Sequence, residues 1–291
     1  MQPHSNQIRK KTVFEIVNTK KNGKKLAVLT AYDFSIAQII DTNDIDIILV
    51  GDSAGMVMLG YPNTRPVTME EMLLFCKAVS NAATKAMITV DMPFGSYQNG
   101  VATTISNAVR LIKAGADSVK VEGGYEIFDR IKALVEIGIP VMGHIGYKPQ
   151  TSSIWNTSKA TGKTKESALR LLNDAKSVEK AGAFSIVLEM VTAEAAEIIT
   201  KNLSIPTIGI GSGPVCDGQV LVTYDMLGIN QNWKPRFVKR YQDLNQLIAA
   251  SVQTYSREVK SGIFPSNENV IHMDSKEYEE LMKERGLRIS K

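Results

Sequence analysis

The chain has 291 residues, 44% of them hydrophobic, and a formal charge of +4. That length and apolar content allow one large domain or two ordinary ones around a sizeable core. No apolar run approaches the ~20 residues of a membrane span, and MQPHSNQIRKKTVFEI holds no apolar stretch ahead of a small-residue cleavage site, so neither a span nor a secretory signal is expected. Cys76 and Cys216 stand far apart in no metal or redox spacing, which suits a reducing cytoplasm. The basic clusters RKK (9–11) and KKNGKK (20–25) lack interleaved aromatics. They read as solvated surface rather than a nucleic-acid site, and the mild positive bias suits small anionic substrates.

In chain order, a leading helix TVFEIVNTKKNG precedes the strand KLAVLTAY, and Asp33 opens the helix DFSIAQII as an N-cap. The strand IDIILVG runs into a glycine-rich turn, SAGMVMLG, and then the helix TMEEMLLFCKAVSNAA. AMITVDM, SVKVEG, IPVMGHIG and FSIVLE follow as strands, separated by amphipathic stretches such as TTISNAVRLIKAGA, YEIFDRIKALVEIG and KESALRLLNDAKSVEKAGA. IPTIGIG and QVLVTYD complete eight strands, and residues 239–261 read as the last helix. Near-continuous apolar strands with helical crossovers indicate a parallel sheet covered on both faces. Eight such units predict a closed (β/α)8 barrel of the TIM type, with the leading helix plugging or flanking its bottom. The expected division is one barrel domain over 1–265 and a tail with a charged helix over 266–291.

In such a barrel the C-terminal strand ends converge on one mouth, where sites are built. AGADSVKVE and AGAFSIVLE share helix end, strand length and final acid, which places Glu122 and Glu189 at equivalent strand ends. Asp52 with Ser53, Asp91, Lys120 and Glu122 close strands two to four, and alternation puts Lys120 and Glu122 on one side of their strand. Three carboxylates side by side repel unless a cation joins them. With no cysteine ligand among them, the set favours Mg²⁺ or a similar hard ion, while Lys120 faces the anionic part of whatever the ion holds. His144 lies on a strand at the mouth, open to a core or a site role. Glu189, flanked by Leu188 and Met190, is a candidate general base against a salt-bridged structural reading. GIGSG (209–213) is a weak phosphate-turn signal that tight packing explains equally well.

VGDSAG, TVDMPFGSY, AGADSVKVEGG, GHIGYKPQ, VLEMV and IPTIGIGSGPVCDGQVLVTYDMLGI, in that order over roughly residues 10–265, resemble the ketopantoate hydroxymethyltransferase family. LTAYDFSIAQIID and KPRFVKRY resemble it too. The resemblance implies a (β/α)8 barrel, commonly in decameric homo-oligomers, that serves pantothenate and coenzyme A synthesis. It implies transfer of a hydroxymethyl group from 5,10-methylenetetrahydrofolate to C3 of 3-methyl-2-oxobutanoate through a Mg²⁺-stabilised enolate, giving 2-dehydropantoate. Asp52, Asp91 and Glu122 match its metal acids; Asp52, Ser53, Asp91 and Lys120 match positions that meet the 2-oxo acid; Glu189 matches its proton acceptor, and His144 an active-site histidine. The chain departs from the family at TSSIWNTSKATGKT and SGPVCDGQ. A rival class is the Mg²⁺-dependent lyases and mutases of the isocitrate lyase and phosphoenolpyruvate mutase type, although their KKCGH-like motif is absent. A barrel kept only for binding or assembly is a second rival, against which all four strand-end acids stand. The expected partners are small molecules, with no nucleic acid and no membrane.

Overall fold

The computed structural model describes residues 9–151, 160–230 and 235–284. By internal contacts these fall into two compact units, 1–242 and 243–291. In the first, eight parallel strands close on themselves in sequence order, β8 pairing with β1. They are β1 Leu26–Thr30, β2 Ile47–Val50, β3 Met87–Asp91, β4 Ser118–Glu122, β5 Val141–Gly146, β6 Ser185–Glu189, β7 Thr207–Ile210 and β8 Gly218–Leu221. Every residue of β2, β3 and β4 is buried, because one strand face fills the cylinder and the other lies under helices.

The helices of this unit are α1 Val13–Lys21, α2 Phe34–Asp41, the single turn α3 Ala54–Val57, α4 Met69–Ser80, α5 Val101–Lys113, α6 Phe128–Glu136, α7 Lys165–Lys180, α8 Ala193–Asn202 and the short α9 Thr223–Met226. Their starts follow from local chemistry. Thr12 and Thr68 each accept from the backbone N–H of a glutamate three residues on, and each glutamate accepts in return from the cap N–H, so α1 and α4 open with satisfied donors. Asp33 caps α2 as expected, accepting from Ile36 N–H.

Two apolar cores result. The larger lies between strands and outer helices. The smaller fills the cylinder with Leu26, Ile47, Met87, Met142 and Ile208, among others, and Ile16 of α1 is buried against them with Val13 and Val17 alongside. The spacing of these three, i, i+3, i+4, is the apolar stripe of a helix lying on a core. The leading helix is therefore a plug.

Four expectations change. The basic clusters are not simply solvated: Lys10, Lys11 and Lys20 pair with Asp117, Asp46 and Asp217, the residues just before β4, β2 and β8. The last strand stops at Leu221, since Thr223–Met226 winds into a helical turn and buries Asp225. The connection from β7 to β8, residues 211–217, forms no helix, so one of the eight units is incomplete. Finally, the helix expected over 239–261 begins at Leu244, because Asp243 accepts from Gln246 N–H and caps it there.

The second unit holds α10 Leu244–Ser261, a 3₁₀ turn at Asn267–Asn269 and α11 Ser275–Lys283. Gly262 ends α10 in the left-handed conformation, φ 70°, and no α10 residue is buried.

Candidate active site

Strand pairing explains how the site assembles. In the ladder, Asp91 of β3 stands opposite Lys120 of β4, and Glu122 of β4 stands opposite His144 of β5. Lys120 Nζ is 2.7 Å from Asp91 Oδ1, with both side chains at least 94% buried (6% and 4% exposed). The other oxygen, Asp91 Oδ2, accepts the Asp52 backbone N–H at 3.1 Å. Asp52, Asp91, Lys120, Glu122 and His144 are thus all buried in one place. Ser53 stands beside them, its Oγ 2.8 Å from the hydroxyl of the buried Tyr32.

Glu189 joins through His144. The imidazole Nε2 lies 3.1 Å from Glu189 Oε2, and Nδ1 lies 3.4 Å from Glu122 Oε1. Glu189 is less dry than its flanking residues suggest, its side chain keeping 17% of its accessibility. Its main chain is pinned: Tyr147 N–H donates to the Glu189 carbonyl at 2.8 Å. That carbonyl lies where a side chain at Gly146 would go, 2.2 Å from an added Cβ, so β5 must end in glycine. Met190, next in line, takes φ 49°, a left-handed conformation rare outside glycine and held here between Ile210 and Thr161.

Burial and the close charges move the ionisation of four of these groups. Burial pushes the Asp52 carboxyl well up, Asp91 and Glu122 add to this, and Lys120 and the Gln150 amide offset only part. Burial would lower the Lys120 ammonium, but Asp91, Glu122 and Asp52 together hold it above its ordinary value. Glu122 goes down: burial opposes this, and His144, Lys120 and the Gln150 N–H outweigh it. Burial and Lys120 both depress His144, yet contacts with Glu122 and Glu189 prevail and raise it to about 9.

Among the described residues no group of three His, Cys, Asp or Glu side chains makes a metal cage by itself. Mg²⁺ does not require one, since it keeps waters and takes one or two carboxylates plus ligand oxygens. The donor set fits such an ion: hard oxygens, no thiolate, and a carboxylate at Asp52 disfavoured by burial and by the acids beside it. Asp52, Ser53, Asp91, Lys120, Glu122, His144 and Glu189 lie together here, whereas Asp33 caps α2 and Ser212 bonds the backbone of Leu188 and Val191.

The profile of the ketopantoate hydroxymethyltransferase family matches residues 10–267. The chain belongs to that family. Among its relatives is the 3-methyl-2-oxobutanoate hydroxymethyltransferase of Nitrosopumilus maritimus (strain SCM1), 51% identical over 276 residues, covering 95% of this chain and 99% of the relative. The enzyme of the same name from Geobacter metallireducens is 51% identical over 258 residues, 88% and 97% of the two chains. Of solved structures, a phosphonopyruvate hydrolase crystallised with oxalate and Mg²⁺ matches with TM-score 0.59 at 12% identity, over 93% of this chain and 94% of that one. A 2,3-dimethylmalate lyase matches with TM-score 0.57 at 14% identity, over 93% and 98%. At such identities these two show the shared fold. The chain is thus an enzyme of the hydroxymethyltransferase family on a (β/α)8 barrel.

Two residues of the site were not singled out from the sequence: Tyr97 and Gln150, both buried, lie behind the acids. They lie in TVDMPFGSY and GHIGYKPQ, but neither residue ends a strand, and a loop glutamine carries no charge to draw attention. The TSSIWNTS segment lies, beyond Thr151, outside the described residues.

Proposed function

We propose that the chain transfers a hydroxymethyl group from 5,10-methylenetetrahydrofolate to C3 of 3-methyl-2-oxobutanoate, giving 2-dehydropantoate for pantothenate synthesis. One observation carries the assignment of roles. Buried acids from β2, β3 and β4 surround a single lysine, and a fourth, Glu189, is tied to them through His144.

Asp52 and Asp91 would hold Mg²⁺, with Glu122 as the third acid of the set. Bound there, the ion would supply Lewis-acid polarisation of the substrate's 2-oxo group, which would make the C3 proton removable. Lys120 answers the negative charge of the oxo acid that enters beside it, and Ser53 with Asp52 meets the same substrate. Glu189 takes the C3 proton onto a carboxylate oxygen. His144, wedged between Glu189 and Glu122, fixes where that carboxylate stands. Water cleaves the two carbon–nitrogen bonds of the methylene bridge, so tetrahydrofolate departs with both N–H groups restored and the one-carbon unit keeps the water oxygen. The electron pair left at C3 forms the new carbon–carbon bond to that carbon, and its oxygen takes up the proton held by Glu189 to give the hydroxyl. No described helix is long and apolar enough to cross a membrane. Our reading places the enzyme in the cytoplasm, as a homo-oligomer, with the 2-oxo acid and the folate as its partners.

The test combines two reactions. Purified protein with both substrates and Mg²⁺ forms 2-dehydropantoate, and EDTA stops it. In D₂O without folate, the protein exchanges the C3 proton of the oxo acid, and Glu189→Gln slows exchange and turnover together by about 10²–10⁴-fold. Exchange at the parental rate in that variant removes Glu189 from the base role, and product formation in EDTA removes the metal.

A further inference from the structure

Gln150, in the loop after β5, is 1% exposed and touches three strand ends at once. Its Nε2 donates to Asp52 Oδ2 at 2.8 Å, beyond β2, and to the Met92 carbonyl at 3.0 Å, beyond β3. Its backbone N–H donates to Glu122 Oε2 at 3.1 Å, at the end of β4. Its Oε1 accepts from the Tyr97 hydroxyl at 2.8 Å, and that hydroxyl oxygen accepts the Glu122 N–H at 3.1 Å. The loop end is itself held, since Arg65 Nε donates to the Gln150 carbonyl at 3.0 Å.

These partners settle which way the amide points. Asp52 and Met92 both offer acceptors, so the nitrogen faces them, and the oxygen takes the Tyr97 proton. No other side chain of this reach supplies two donors and one acceptor without charge. A glutamate would add a fourth carboxylate to Asp52, Asp91 and Glu122. An aliphatic residue would strand Asp52 Oδ2 and the Met92 carbonyl without a donor in a dry space.

We infer that Gln150, backed by Tyr97, is a positioning residue that presets Asp52 and Glu122 for the divalent cation and thereby sets its affinity. The inference rests on the reading above that these acids, with Asp91, hold the ion. Gln150 occupies Asp52 Oδ2 and, through its backbone, Glu122 Oε2, so each carboxylate meets the ion in one fixed orientation instead of a choice of rotamers. Residues behind metal ligands act in this way, and their loss typically weakens binding 10–100-fold.

The experiment uses the full chain without substrate and Mn²⁺ as the probe, the free ion being read by electron paramagnetic resonance. Gln150→Ala raises the Mn²⁺ Kd by about 10–100-fold, and Tyr97→Phe, which loses the hydroxyl and keeps the ring, raises it to a lesser degree. Saturating Mg²⁺ restores most of kcat in Gln150→Ala, whereas a merely structural lesion would not respond to metal. Asp52→Asn is the control. If it abolishes Mn²⁺ binding while the Gln150 and Tyr97 variants stay within threefold of the parent, Gln150 has no such role and the metal assignment stands. If Asp52→Asn binds as the parent does, or the parent binds nothing, the metal assignment falls and takes this inference with it. Should Gln150→Ala not fold, Tyr97→Phe decides.

Discussion

Lys120 has two acids close by in the ladder and a third reaching in from β2, and its ammonium stays charged because their attraction exceeds the cost of burial. Removing that charge while keeping the bulk should leave Asp91 dry and uncompensated. Lys120→Met is therefore expected to lose about 3–5 kcal/mol of stability in metal-free protein, measured by urea unfolding, and to regain part of it when Mg²⁺ is added. A variant as stable as the parent would mean that Asp91 finds another partner or takes up a proton. This residue and Glu122 were readable as a pair from SVKVE alone, because alternation along a strand is strict. Their partners were readable only as strand-end acids. What alternation could not reveal was that Lys120 would spend itself on Asp91 and that His144 would bridge two acids, since those contacts depend on the stagger between neighbouring strands. Gln150 was invisible for a different reason: its value lies in being uncharged among charges, which no local pattern announces.

Between α4 and β3 the chain turns through Thr84, Lys85 and Ala86, whose three backbone N–H groups all donate to Asp41 at the end of α2, as does the Thr84 hydroxyl. This one carboxylate joins two β/α units. Burial opposes its ionisation, but the donors of Ala86, Thr84 and Lys85 outweigh that and hold its pKa below the ordinary value. A depressed carboxylate stabilises the fold above its unfolded pKa, and the contribution disappears as pH falls through the folded value. Asp41→Ala should cost about 2–4 kcal/mol near pH 7, from stranded N–H groups, and the gap from the parent should narrow once pH drops below about 4. Urea midpoints at several pH values check both; a gap independent of pH would assign the loss to packing. At this scale the sequence was most legible, because strands and amphipathic helices carry their periods openly. The incomplete unit between β7 and β8 and the start of α10 escaped, as one depends on a short connection with no period and the other on a single capping aspartate.

The barrel as a whole has acids at both ends of its strands, and they are handled in opposite ways. Below, Asp46, Asp117 and Asp217 each accept a backbone N–H from the preceding strand or its neighbour, at Ala27, Ile88 and Thr207, and each also meets a lysine of the α1 region. Those lysines and aspartates retain between 15% and 34% of their side-chain exposure, against 6% and 4% for Lys120 and Asp91. Dissolved ions screen charges that water can reach and leave dry ones largely alone. Raising sodium chloride from about 0.05 to 1 M should thus loosen the plug from beneath and lower the melting temperature, while proton exchange at the mouth keeps its rate at temperatures where the protein remains folded. Ionic strength becomes a means of telling the anchor from the workshop, two jobs that one cylinder performs with the same pair of residue types.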